Sequence, residues 1–209
     1  MNKNLEIQIA KPFGPSIAKV KIPDELVLKL NDYVDDVIKD ENKSKSQDFG
    51  GKLIGQVTQE FRLDKNFYES SGWLEFLGKC VSAWIQKSNG SSVKTFTILD
   101  TWVVRQFKNE YNPAHWHSGH VSGVGYLKVP KNFGSMPNKT KNPNGKLELI
   151  HGSRQFLSNS TFSITPEVGD FYFFPNYMMH TVYPFTDTDE ERRSVSFNAN
   201  VDEKIYNAI

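Results

Sequence analysis

The sequence predicts a mainly β fold with N-terminal helices: an antiparallel sandwich or jelly roll carrying helices on one side. Two observations predict it. Apolar residues at helical spacing occur only in the first part of the chain, ending at Asn89. Beyond that point come short segments rich in β-branched and aromatic residues, separated by turn signals. A third observation bounds the size. The chain has 209 residues, of which 13% are aromatic, so a full core can form within a single domain. That domain is expected to span 1–209, with 1–92 as mainly helical support and 93–209 as the jelly-roll core.

Residues 5–22 alternate loosely around Pro12, Gly14 and Pro15, which predicts two short strands about a turn. Pro23-Asp24 opens a helix running to about residue 41, with Leu26, Leu28, Leu30, Tyr33, Val34, Val37 and Ile38 at helical spacing. Residues 42–66 are polar and glycine-containing, and predict a loop with one short element near Leu53–Val57. A second helix is expected from about Tyr68 to Lys87, where Trp73, Phe76, Leu77, Cys80, Val81, Trp84 and Ile85 form an apolar stripe. Asn89-Gly90-Ser91 ends it.

The stretches 93–107, 120–129, 146–151, 160–165, 170–175, 180–185 and 192–201 all read as strands. The long irregular insertion Pro130–Gly145 reads as an exposed loop at one rim and a candidate substrate lid. The sequence has no internal repeat.

The net charge is +1, from 25 basic and 24 acidic residues, so no broad basic field exists to hold nucleic acid. The single cysteine, Cys80, cannot form an intramolecular disulfide and reads as a buried core thiol. It fits a reducing, cytoplasmic setting. The first residues lack a long apolar run, and no stretch reaches the ~18 apolar residues of a membrane span. Neither a secretory signal nor a membrane partner is therefore expected.

The chemistry concentrates in the histidines. The chain has five, and three lie within Asn112-Pro-Ala-His115-Trp-His117-Ser-Gly-His120. Side chains at i and i+2 of a strand share a face, roughly 6–7 Å apart. His115 and His117 can therefore both turn toward one metal ion, and His180 is placed to supply a third ligand from a later strand. Further on, Arg192, Ser194 and Ser196 fall on one face of a strand, and Arg193, Val195 and Phe197 on the other. An inward arginine with a serine two positions on is a carboxylate clamp. Arg193, following Asp-Glu-Glu, reads as an exposed charged turn. Trp102, Trp116 and Phe173 are candidate pocket walls, although strand aromatics are more often core.

In order, these pieces are His115-x-His117, Ser122-x-x-x-Tyr126-Leu127, Pro166-x-x-Gly169-Asp170-x-x-x-Phe174-Pro175, His180 and Arg192-x-Ser194. The series resembles the double-stranded β-helix core of the iron(II)/2-oxoglutarate oxygenases, most of all the prolyl-hydroxylase-like branch and small bacterial and phage members. The resemblance spans about residues 93–200. It implies a dioxygenase that couples 2-oxoglutarate decarboxylation to hydroxylation of a substrate.

By position, it implies Fe(II) ligands at His115, His117 and His180, and cosubstrate contacts from Arg192, Tyr126, Ser194 and Asn198. The family usually has an acidic residue where this chain has His117. Either the site uses three histidines, or one of the pair is not a ligand, with His120 as second choice. Two other readings share the barrel: a cupin-like metal-binding protein without turnover, and a three-histidine dioxygenase that uses no 2-oxoglutarate. The substrate, small molecule or peptidyl, is not legible, and a homodimer is left open.

Overall fold

The computed structural model describes residues 6–10, 14–136 and 138–207. Leu5 and Pro12 of the expected N-terminal hairpin lie outside them. Its two strands, β1 (Ile7–Ala10) and β2 (Ile17–Lys21), pair antiparallel. Helix α1 (Asp24–Lys39) begins after Pro23, with Asp24 and Glu25 in its first turn and Lys39 in its last, all favourable to the helix dipole.

The next stretch holds more structure than its polarity predicts. A short helix α2 (Glu41–Gln47) starts on Asp40, whose carboxylate accepts from the amides of Asn42 and Lys43. A 3₁₀ turn (Gly50–Lys52) and strand β3 (Gln59–Arg62) follow. The expected second helix is divided into α3 (Lys65–Ser70) and α4 (Trp73–Asn89) at Gly72, which has φ 94°. Gly90, with φ 79°, ends α4 as its sequence signal predicts.

Eight strands then form the core: β4 (Phe96–Gln106), β5 (Asn112–His115), β6 (Val121–Lys128), β7 (Leu147–Ile150), β8 (Thr161–Ile164), β9 (Asp170–Pro175), β10 (Met179–Val182) and β11 (Arg192–Val201). They are shared between two antiparallel sheets. The larger sheet has the order β1-β2-β9-β6-β11-β4-β3 and the smaller β5-β10-β7-β8. The chain crosses between the sheets repeatedly, which is the jelly-roll arrangement. A short helix α5 (Glu203–Tyr206) follows β11.

Period-two alternation sorts the side chains of the larger sheet. One face, with Val103, Phe171, Phe173, Val195 and Phe197, packs against the apolar stripes of α1 and α4 in a continuous core. Cys80 belongs to that core, and burial pushes its thiol up to about 12. The other face, with Trp102, Val104, Arg192, Ser194 and Ser196, looks toward the smaller sheet and lines a cavity between the two. The helices thus brace the back of the sheet while its front is left for chemistry.

Arg193 corrects the sequence reading. It is 1% exposed, because alternation turns it toward α1. There its guanidinium donates to Asn31, Asp35 and Glu191. A buried cation needs such partners, and this one clamps helix to sheet.

Candidate metal centre

Strands β5 and β10 bring three imidazoles together. His180 is the register partner of His115, with ring centroids 4.2 Å apart. His117 lies just past the end of β5, and its Nε2 is 3.2 Å from Nε2 of His180. One ligand atom from each of the three lies within 4.8 Å of the others, so the group could hold a single metal ion. Backbone bonds fix the turn that carries His117. Its amide donates to Asn176 O, and the Asn176 side-chain amide donates back to His117 O.

The rings are oriented from behind. Nδ1 of His115 lies 2.7 Å from Pro113 O and Nδ1 of His180 lies 2.9 Å from Met178 O. Protons on those Nδ1 atoms leave Nε2 free as a metal donor, the usual outer-shell arrangement. Burial holds all three rings neutral, and neighbouring imidazoles add to it at His117 and His180. His117 is pushed down to about 3, chiefly by desolvation and then by His115. His115 is lowered and His180 lies well below its ordinary range, again mainly through burial. Neutral imidazole is the form that binds metal.

On the same cavity wall, Arg192 is 1% exposed. Its Nη1 donates to Gln106 Oε1 at 3.1 Å, while among the described residues Nε and Nη2 have no hydrogen-bond partner. A buried guanidinium with free donors is costly unless an anion meets it, so the position suits a carboxylate. Tyr126 lies beneath it, behind the cavity lining, with the guanidinium 5.0 Å from the ring centroid, and among the described residues its hydroxyl likewise has no hydrogen-bond partner. Burial pushes that hydroxyl up to about 12, so it stays a hydrogen-bond donor.

Ser194 lines the cavity beside Arg192. Asn198 does not; its Oδ1 accepts from Ser122 Oγ at 2.8 Å, at the far end of β11. Trp102 forms the wall behind His117, at a ring distance of 5.7 Å. The other two expected walls are elsewhere. Trp116 is 64% exposed, since its place between His115 and His117 turns it outward, and Phe173 sits in the helix-side core. Among the described residues of Pro130–Gly145 none lines the cavity, and Phe133 packs on Phe185. His120 lies apart from the triad: its Nδ1 is 3.1 Å from Val201 O and its ring stacks on Tyr206.

Sequence reasoning missed Gln106, Asn112 and Asn176. Gln106 is the cross-strand partner of Arg192, and its fully buried amide also donates to Glu110 O and Tyr183 O. Its one legible sign is a polar residue inside the apolar run Trp102-Val-Val-Arg-Gln-Phe107.

Residues 100–198 match a family model described as "Putative 2OG-Fe(II) oxygenase". No curated protein matches the chain by sequence. Among solved structures, a prolyl-4-hydroxylase from Pseudomonas putida aligns with TM-score 0.54 at 15% identity, over 87% of this chain and 91% of its own. A viral collagen prolyl hydroxylase from Paramecium bursaria Chlorella virus-1, solved with 2OG, gives 0.53 at 13% identity over 87% and 94%. AviO1 from Streptomyces viridochromogenes Tue57 gives 0.60 at 11% identity over 90% of each chain. At such identities the structural likeness speaks to the fold.

Proposed function

Because the core of this chain belongs to the 2OG-Fe(II) oxygenase family, whose members use Fe(II) and 2-oxoglutarate, we propose that it hydroxylates a small-molecule or peptidyl substrate at the cavity between its two sheets. His115, His117 and His180 are the iron ligands in this reading, and Arg192 receives the cosubstrate's far carboxylate. One observation carries it: three neutral imidazoles converge within 4.8 Å in a cavity that also contains a buried, half-unpartnered guanidinium. The donor set fits both groups, nitrogen donors for iron and a cationic fork for a carboxylate.

The oxidising power would come from iron and cosubstrate together, which in this family couple loss of carbon dioxide from 2-oxoglutarate to insertion of one oxygen atom into a substrate C–H bond. The protein's own part is placement and exclusion of water. The Pro113 and Met178 carbonyls aim the His115 and His180 rings. Gln106 holds one nitrogen of Arg192, leaving the other donors for the carboxylate. Tyr126 offers its hydroxyl proton to the same anion. Trp102, Phe174 and Val104 keep the walls apolar, which strengthens every charge interaction inside.

Three histidines in place of two and a carboxylate leave the ligand set one charge more positive. That raises the attraction for an anionic cosubstrate, so a dianionic keto acid suits this site. The test is anaerobic iron loading followed by succinate release. Stoichiometric iron and 2-oxoglutarate-dependent succinate are expected. Iron uptake with no succinate across candidate substrates would refute the oxygenase reading.

A further inference from the structure

The cavity encloses about 40 Å³, room for roughly three waters. The segment between α2 and β3 covers one wall. Leu53 and Val57 pack on Phe49, Trp102 and Val104, a small cluster separate from the main core, and Trp102 and Val104 line the cavity. The segment is pinned at both ends. Phe49 N donates to Glu60 O at one end, and Gln56 and Tyr111 exchange backbone bonds at the other. Segments held by so few apolar contacts open at low free energy.

Beneath this strap lies Glu60. It is 1% exposed, and among the described residues neither carboxyl oxygen has a hydrogen-bond partner. The strap rests directly on it. A Cβ at Gly55 would stand 2.9 Å from Glu60 Oε1, and one at Gly50 would stand 3.6 Å from Oε2. The charged groups around it are acidic: Asp48 on the strap side and Glu110 in the turn before β5. The nearby cations are engaged elsewhere. Lys52 lies over the Phe49 ring, Arg62 pairs with Asp100, and Arg105 pairs with Glu191 and Gln59.

We propose that residues 48–58 form a strap over the Trp102 wall of the cavity, latched by Glu60 as an uncharged carboxylic acid and released when that carboxyl ionises between Asp48 and Glu110. A charge formed there has no partner and two like neighbours, and it regains solvation only if the strap lifts. Burial first, then Asp48 and Glu110, raise the carboxyl to about 7 with the strap closed. Once lifted, it titrates in the ordinary carboxylate range. The closed form therefore holds the proton more tightly. Closure is firmest below the ordinary value, weakens as pH rises toward about 7, and is level above that. The latch is independent of what binds in the cavity.

Hydrogen exchange on the metal-free chain reads this directly. After correction for intrinsic rates, opening of residues 48–58 is expected to rise at least tenfold between acidic and mildly alkaline pH, while the α4 core stays unchanged. Glu60→Gln keeps the uncharged shape and should leave the strap protected at every pH. Asp48→Asn removes one repelling neighbour and should shrink the rise. A wild-type profile that is flat with pH, or a Glu60→Gln profile that rises like the wild type, overturns the latch. If Glu60→Gln fails to fold, Asp48→Asn decides, and an undiminished rise in that variant is fatal to the proposal.

Discussion

His180 and His115 face each other as register partners across β10 and β5, with their rings 4.2 Å apart. The centre therefore depends on strand pairing as much as on residue type. A slip of one residue would replace this pair with outward-facing neighbours such as Trp116. His180 is the most buried of the three and is the only one supplied by β10. His180→Ala should abolish stoichiometric iron binding while the fold is retained, as checked by metal analysis alongside circular dichroism. Retention of one iron per chain would remove His180 from the ligand set.

Arg192→Ala should leave iron in place and weaken 2-oxoglutarate binding by roughly 10- to 100-fold, the worth of a charge-assisted hydrogen-bond pair of about 1.5–3 kcal/mol. Arg192→Lys should recover part of the loss, since a point charge replaces the fork. Anaerobic titration of the iron-loaded chain with 2-oxoglutarate measures both. An unchanged dissociation constant in the alanine variant would show that another group holds the anion.

The parts of the site legible in the sequence are those that follow from strand period. His115, Arg192 and Ser194 could be placed because alternation decides a side chain's face without any knowledge of the neighbouring strand, whereas His180 is picked out by its place in the motif series. The same rule applied to Arg193 and Trp116 gives the right faces. The error over Arg193 lay in expecting no partner on the helix side, where Asn31 and Asp35 of α1 wait. Gln106 and Asn176 act through cross-strand register and turn geometry, which depend on pairings far apart in sequence. Strand β3 was hidden because its side chains divide between core and strap, so Gln59-Glu-Phe-Arg62 shows no simple apolar pattern. Helices α1 and α4 were plain, since each has one apolar stripe in the core against the sheet; α2 and α3 bury no residue and left no such stripe to read.

The neutral imidazoles make the metal-free chain acid-sensitive. His117 is held down to about 3 by burial and by His115, with its two partners also lowered. Unfolded, each ring binds a proton at its ordinary value of about 6.5. Between those limits the unfolded chain takes up protons that the folded chain refuses. Stability is therefore full above the ordinary histidine value and falls as the pH drops below it. Each ring contributes at most on the order of 1 kcal/mol per pH unit. Urea midpoints of the chelator-treated chain should fall from neutral pH to mildly acidic pH, and His117→Gln should flatten the slope. A slope unchanged in that variant would assign the acid sensitivity to other groups.

Gly123 tests how the back of the sheet supports the front. It lies on β6, between β9 and β11, opposite Phe173 and Phe197. A Cβ there would stand 2.6 Å from Phe197 Cε1, 2.7 Å from Phe171 Cε1 and 2.8 Å from Tyr172 O. The rings can rotate a little, but the carbonyl is backbone of the paired strand and cannot. Gly123→Ala must therefore spread β6 from β9 or displace the phenylalanines, at roughly 1–3 kcal/mol. The strain runs into β11, which carries Arg192, and into β9, which leads to β10 and His180. Iron and cosubstrate affinity should fall together with the urea midpoint. Gly78→Ala in α4 is the control, because its Cβ would meet Phe96 at an ordinary 3.5 Å. Alanine also favours a helix over glycine by about 1 kcal/mol, so this variant should be neutral or stabilising. Equal losses in the two variants would show that glycine's flexibility, and not the close approach of ring and backbone at β6, is what the fold requires.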